Sequence, residues 1–146
     1  MMGVLPGDRT MGDHALRKMV KHLEFLGYRT EVQDDGWTFV SHPTRPDFFL
    51  RDFPFGIRAV AMFTLDRVVC DPEWLAFVNR CNELGTLSSF SLVFKKDGSG
   101  AAVRVVAVLP RAYDKPMFGT WVDAWHEDLA QLRHAPEREE AAVVAH

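Results

Sequence analysis

Apolar residues return along the chain with two different periods, and the switches between them mark out the elements. Leu16, Met19, Val20, Leu23 and Leu26 recur at the three- and four-residue spacing of a helix buried on one side. Asp13 can cap its start, and Gly27 ends it, with Tyr28 placed for a C-terminal hydrophobic contact. The spacing predicts a helix over 13–26 after a loose stretch over 1–11, with Arg17, Lys18, Lys21 and His22 on the wetter side. Arg29 to Gln33 and Trp37 to Ser41 flank Asp34-Asp35-Gly36 and predict a hairpin. His42-Pro43-Thr44-Arg45-Pro46 breaks the pattern, because two prolines do not fit a central ladder. Phe48-Phe49-Leu50 suits a short strand, interrupted by Pro54 and Gly56. Ile57 to Leu65 predicts a stronger strand. One face carries Ile57, Ala59, Ala61, Phe63 and Leu65; the other carries Arg58, Val60, Met62 and Thr64.

Asp71-Pro72-Glu73 combines a cap, a first-turn proline and an acid near the positive end of the helix dipole. Trp74, Phe77, Val78, Cys81 and Leu84 then form one helical face, and Gly85 closes it. Ser89 to Lys95 and Ala102 to Leu109 flank Lys96-Asp97-Gly98-Ser99-Gly100 as a second hairpin. Asp114 and Pro116 open a third helix, whose stripe is Phe118, Trp121, Val122, Trp125, Leu129 and Leu132. Pro136 begins a charged tail, within an acidic tail region over 134–146. The hairpins predict an α+β fold in two layers, with a mainly antiparallel sheet and helices on one side.

Composition narrows the function classes. At 146 residues the chain suits a single domain over 1–146, with an ordered core at about 13–133. Its formal charge of -3 argues against general nucleic-acid binding, which needs a concentrated basic face. No apolar run is long enough for a membrane helix, and no secretory signal is visible, so the expected location is the cytoplasm. Cys70 and Cys81 are the two cysteines; their spacing matches no zinc motif, and Cys81 reads as a buried thiol. No cofactor is expected.

Chemistry-bearing groups are sparse. His126-Glu127-Asp128, with Asp123 one turn earlier, could hold a hard cation or protonate a substrate. The competing reading is an acidic, solvated face opposite the apolar stripe. His14 and His22 lie eight apart, which is no metal motif. Gly98-Ser99-Gly100 lacks the spacing of a nucleophile elbow and suits a turn. Trp121 and Trp125 could stack a ligand, with Trp37 as a further wall, but they extend a core stripe. The residues that resist a bland reading are Val60 and Met62 on one strand and Val106 and Val108 on another. If the opposite strand faces meet the predicted helices, these four point away from them; exposed apolar patches mark interfaces or grooves, the competing reading being a core closed by the tail or the Phe48–Phe55 loop. These four are the candidate partner-binding or dimer residues; no catalytic, cofactor or metal residues are assigned.

The segment WLAFVNRCNELGTLSSFSLVFKKDGSGAAVRVVAVLP, beginning at Trp74, resembles the YbjN family of bacterial proteins, provisionally described as sensory transduction regulators. The shared features are a helix with close Asn residues (Asn79 and Asn82), a small-residue turn, an F-x-L strand, a D-G hairpin and a Val-rich strand ending in L-P; the two Asn residues suit a structural job, since an Asn near a helix end can bond backbone groups of the following turn. The helix ending in Gly27-Tyr28, the stretch TEVQDDGWTFV and the last helix extend the resemblance over about 13–133. It implies a fold similar to type III secretion chaperones, in the order α-β-β-β-α-β-β-α. It further implies a homodimer that holds a protein partner on apolar surface, with no catalytic residues to carry over. The expected function is a non-enzymatic, chaperone-like or regulatory adaptor that buries a partner's apolar segment against the sheet or helix surface, most economically by strand addition at an open sheet edge. A small-molecule module using a Trp-lined pocket is the alternative.

Overall fold

The computed structural model describes residues 6–65, 72–94 and 100–134. It is a mixed α+β fold with three α-helices and one six-stranded antiparallel sheet, as the hairpin pattern predicts. The elements are α1 (Pro6–Phe25), β1 (Arg29–Val32), β2 (Thr38–Ser41), β3 (Phe48–Phe53), β4 (Gly56–Leu65), α2 (Pro72–Leu84), β5 (Ser89–Phe94), β6 (Ala101–Leu109) and α3 (Lys115–Ala130). A 3-10 turn, Gln131–His134, follows α3. Four strands precede α2, where the expected order has three. The strand order is β1-β2-β3-β4-β6-β5, so β1 and β5 are the edges. The chain divides into two compact units. Met1–Val60 with Ala107–Val122 make one, and Ala61–Val106 with Asp123–His146 make the other.

In the first unit, α1 buries Ala15, Met19 and Leu23 and packs on β1 and β3. The helix begins at Pro6 rather than at Asp13, so the expected loose stretch is helical from residue 6. Leu26 is not part of the buried face; it lies past the last turn and is exposed. The ending itself is as predicted. Gly27 takes a φ of 99°, its N–H donates to the Glu24 carbonyl at 3.1 Å, and the Tyr28 N–H donates to the Leu23 carbonyl at 3.0 Å. This is the paired-bond stop that glycine favours, and Tyr28 is buried beside it.

The first hairpin pairs Arg29 with Ser41 and Val32 with Thr38, and the Asp35 carboxylate accepts the Trp37 N–H across the turn. β3 runs to Phe53, longer than its three-residue core predicts. Pro54 and Phe55 form a two-residue turn that brings Phe53 opposite Gly56, so proline there joins two strands instead of ending one. Asp52 receives the Arg111 guanidinium through two bonds of 2.9 and 3.3 Å.

In the second unit, α2 buries Trp74, Phe77, Val78 and Cys81 and packs on β5. Leu84, expected on the same face, is the last residue of the helix and is exposed. Asp71, the tip of the second hairpin at 95–99, Cys70 and the tail from 135 lie outside the described residues. β5 and β6 pair from Ser89–Val106 to Phe94–Ala101. Asp114 caps α3: its carboxylate accepts the Met117 N–H at 3.1 Å, and its carbonyl accepts the Phe118 N–H at 2.8 Å. Along α3, Phe118 and Val122 are buried in the first unit and Trp125 and Leu129 in the second.

Candidate functional site

Alternation along the strands sends one set of side chains into the core and leaves the other outward. In the first unit, Val40, Phe48, Leu50, Ile57 and Ala59 are buried. Their neighbours Phe39, Phe49 and Val60 face the other way and are half-buried. Register aligns these three across adjacent strands, Phe39 opposite Phe49 and Phe49 opposite Val60, with the two rings 5.1 Å apart. Beside them Arg51 lies over the rings of both Trp37 and Phe53, at 5.8 and 5.2 Å, and Phe55 stacks on Phe53 at 5.2 Å. Val108 is 52% exposed. In the second unit, Ala61, Val103 and Val105 are buried, while Met62 is 47% exposed and Val106 half-buried opposite Ser89.

All four residues singled out by alternation therefore retain accessible surface. The pattern also hid something. Within the first unit, Phe39, Phe49 and the Trp37–Arg51–Phe53 cluster share the outward face of Val60, and only cross-strand register reveals them. An outward row of three large apolar side chains is unusual for the solvated face of an antiparallel sheet, which ordinarily turns polar.

The sheet edges are less available than its face. β1 is four residues long and carries exposed Arg29 and Glu31, which discourages pairing with another strand. At β5, the Asn82 amide occupies the outward backbone groups of Phe90.

The other candidate chemistry does not assemble. Asp123 and Glu127 are exposed and His126 is half-buried, but Asp128 is not on that acidic face; it is 1% exposed. Its carboxylate accepts the backbone N–H groups of Thr86, Leu87 and Ser88 at 2.8, 3.0 and 3.0 Å. The carboxylate thus ties the turn after α2 to α3. A surface cleft of about 360 Å³ is lined by Leu84, Thr86, Glu127, Asp128 and Arg133, yet both Asp128 oxygens are already engaged. Among the described residues no three His, Cys, Asp or Glu side chains gather as a metal site. Burial pushes the Cys81 thiol up to about 11, so it is a poor nucleophile near neutrality.

The tryptophans take separate environments. Trp125 is sealed in the core, Trp121 stacks on Phe118 at 5.9 Å, and Trp37 lies under Arg51. Asn79 is exposed, whereas Asn82 has the backbone-binding role expected of an Asn near a helix end. No described helix is long and apolar enough to cross a membrane.

No protein-family model matches the chain, and no curated protein matches it. Among solved structures, it is similar to YbjN from E. coli, provisionally described as a transcription regulator. The match covers 87% of this chain and 92% of that one, with a TM-score of 0.57 and 14% sequence identity. At that identity the likeness concerns architecture, and the chain shares the fold of YbjN.

Proposed function

We propose that the protein is a non-enzymatic, cytoplasmic binding module, a regulatory or chaperone-like adaptor that works as a homodimer through the outward face of its sheet. The observation that carries this reading is the apolar surface turned outward within each unit: Phe39, Phe49, Val60 and Val108 in the first, Met62 and Val106 in the second. Leaving such surface in water is unfavourable by about 25 cal/mol per Å². A two-fold dimer covers the same patch on both subunits at once. The short, charged β1 and the Asn82 plug on β5 favour face-to-face contact over strand addition. The fold shared with YbjN supports a regulatory role in the same direction.

The test is the oligomeric state. Light scattering at rising concentration should give a dimer, and a stable one should bury about 1,200–2,000 Å² in total. Val60→Asp and Val106→Asp should each yield folded monomers, because each puts a charge where only a partner would cover it. A wild-type protein that stays monomeric at high concentration overturns the reading.

A further inference from the structure

A second concave surface, in the first unit, has a different chemistry. The C-terminal half of α1 and the entry to α3 flank an open cleft of about 310 Å³, lined by Lys18, Lys21, His22, Phe25, Tyr113 and Lys115. Residues 18, 21, 22 and 25 follow three- and four-residue spacing, so one face of α1 presents two ammonium groups, an imidazole and a phenyl ring together. None of the three lysines has an ion-pair partner among the described residues. Neighbouring acids are committed elsewhere: Glu24 accepts the Thr30 hydroxyl, and the Asp114 carboxylate caps α3.

The floor of the cleft is held in place. His22 Nδ1 and the Tyr113 hydroxyl are hydrogen-bonded at 3.0 Å, and both rings pack against buried Phe118, at 5.2 and 6.0 Å. Phe25, in contrast, is 84% exposed at the rim, a poor place for a phenyl ring with nothing to cover. Lys18, Lys21 and Lys115 line the cleft from two elements, so an anion there would meet positive charge from both. A space of this size is narrower than the screening length of about 10 Å at 0.1 M salt, so the field survives there.

We propose that this cleft binds a small organic anion. Lys18, Lys21 and Lys115 would hold a phosphate, sulfonate or carboxylate, and Phe25 and Tyr113 would cover its aromatic or short acyl body. The rigid His22–Tyr113 floor lowers the ordering cost of binding, since those side chains are fixed beforehand. The volume admits a small ligand, at the low end of the range of about 300–1,000 Å³ for binding pockets.

Phenyl phosphate and inorganic phosphate, titrated against the full chain by amide-resolved NMR in about 0.1 M salt, distinguish the components. Phenyl phosphate should saturate with a Kd below about 1 mM, and about tenfold more tightly than inorganic phosphate. Lys21→Glu and Lys115→Glu should each weaken it about tenfold or more. Phe25→Ala should remove the advantage of the phenyl group and leave phosphate binding as it was. Arg17→Glu, also exposed on α1 but outside the lining, should change affinity less than about twofold. All the altered side chains are exposed, and the same spectra verify that each variant is folded. Absence of saturable shifts up to about 10 mM would overturn the proposal. So would equal affinity for the two phosphates, or a loss in Arg17→Glu matching that in Lys21→Glu, which would reveal only a diffuse positive field.

Discussion

Asn82 grips Phe90 by both of its backbone groups: the Phe90 N–H donates to Asn82 Oδ1 at 2.7 Å, and Asn82 Nδ2 donates to the Phe90 carbonyl at 2.9 Å. The side-chain amide thus imitates a neighbouring strand at the edge of the sheet. It ties α2 to β5 and removes a site where another chain could pair. Asn82→Ala should lower stability by about 1–3 kcal/mol, the range for two hydrogen bonds lost at a partly buried site. Asn82→Asp keeps an acceptor but loses the donor, and should fall between. A urea midpoint unchanged in Asn82→Ala would show that water replaces the amide at no cost.

Asp128 performs a comparable task with greater consequence. Three backbone N–H groups point at one carboxylate that is almost fully buried. Bonds to a charged acceptor are stronger than neutral ones, and all three end on this one carboxylate. Asp128→Ala should cost about 3–5 kcal/mol, because three charge-assisted bonds to a buried carboxylate are lost together. Asp128→Asn offers one acceptor oxygen and should cost less. If hydrogen exchange of the Thr86–Ser88 amides stays as slow in Asp128→Ala as in the parent, the carboxylate is not what protects them.

These two residues show what could be read in advance. Asn82 was legible as a backbone-binding residue because it lies near a helix end, before a turn. Asp128 was not. It stands seven residues, about two helical turns, after Trp121, so geometry puts it beside the apolar stripe. Its charge argued for water, and its partners are backbone groups some forty residues upstream, which carry no sequence signature. The same limit explains the outward face. Val60, Met62, Val106 and Val108 follow from alternation within a strand, but the Phe39–Phe49–Val60 row depends on register between strands. The Gly27–Tyr28 ending was readable because every group in it is local.

Gly56 is a position where a side chain has no room. A Cβ there would sit 2.7 Å from the Leu109 carbonyl oxygen and 2.8 Å from Val108 Cγ1, and the backbone φ is 155°. The carbonyl belongs to backbone and cannot swing aside. Gly56→Ala should therefore destabilise the protein by about 2–4 kcal/mol, combining overpacking with an unfavourable φ. Thermal unfolding checks this, and a melting temperature equal to the parent's would mean that the strand shifts freely.

Cys81 gives a prediction in pH. The residue is 2% exposed, and burial pushes its thiol from 9.0 up to about 11, against a weaker opposing pull from the Arg80 guanidinium. The folded state therefore holds the proton more tightly than the unfolded chain. Stability from this group is complete below the unfolded value near 9 and is lost as pH rises toward 11. Other groups titrate in the same window, so the comparison is with Cys81→Ala: its stability should fall less steeply between pH 9 and 11 than the parent's. Reactivity gives a second reading of the same cause. In a Cys70→Ser background, iodoacetamide at about pH 8 should alkylate Cys81 roughly a hundredfold more slowly in the native protein than in urea, since the thiolate is scarcer by about two decades. Equal rates in the two conditions would mean that the thiol is reached through frequent opening of α2, and that the buried face of that helix is less secure than its packing suggests.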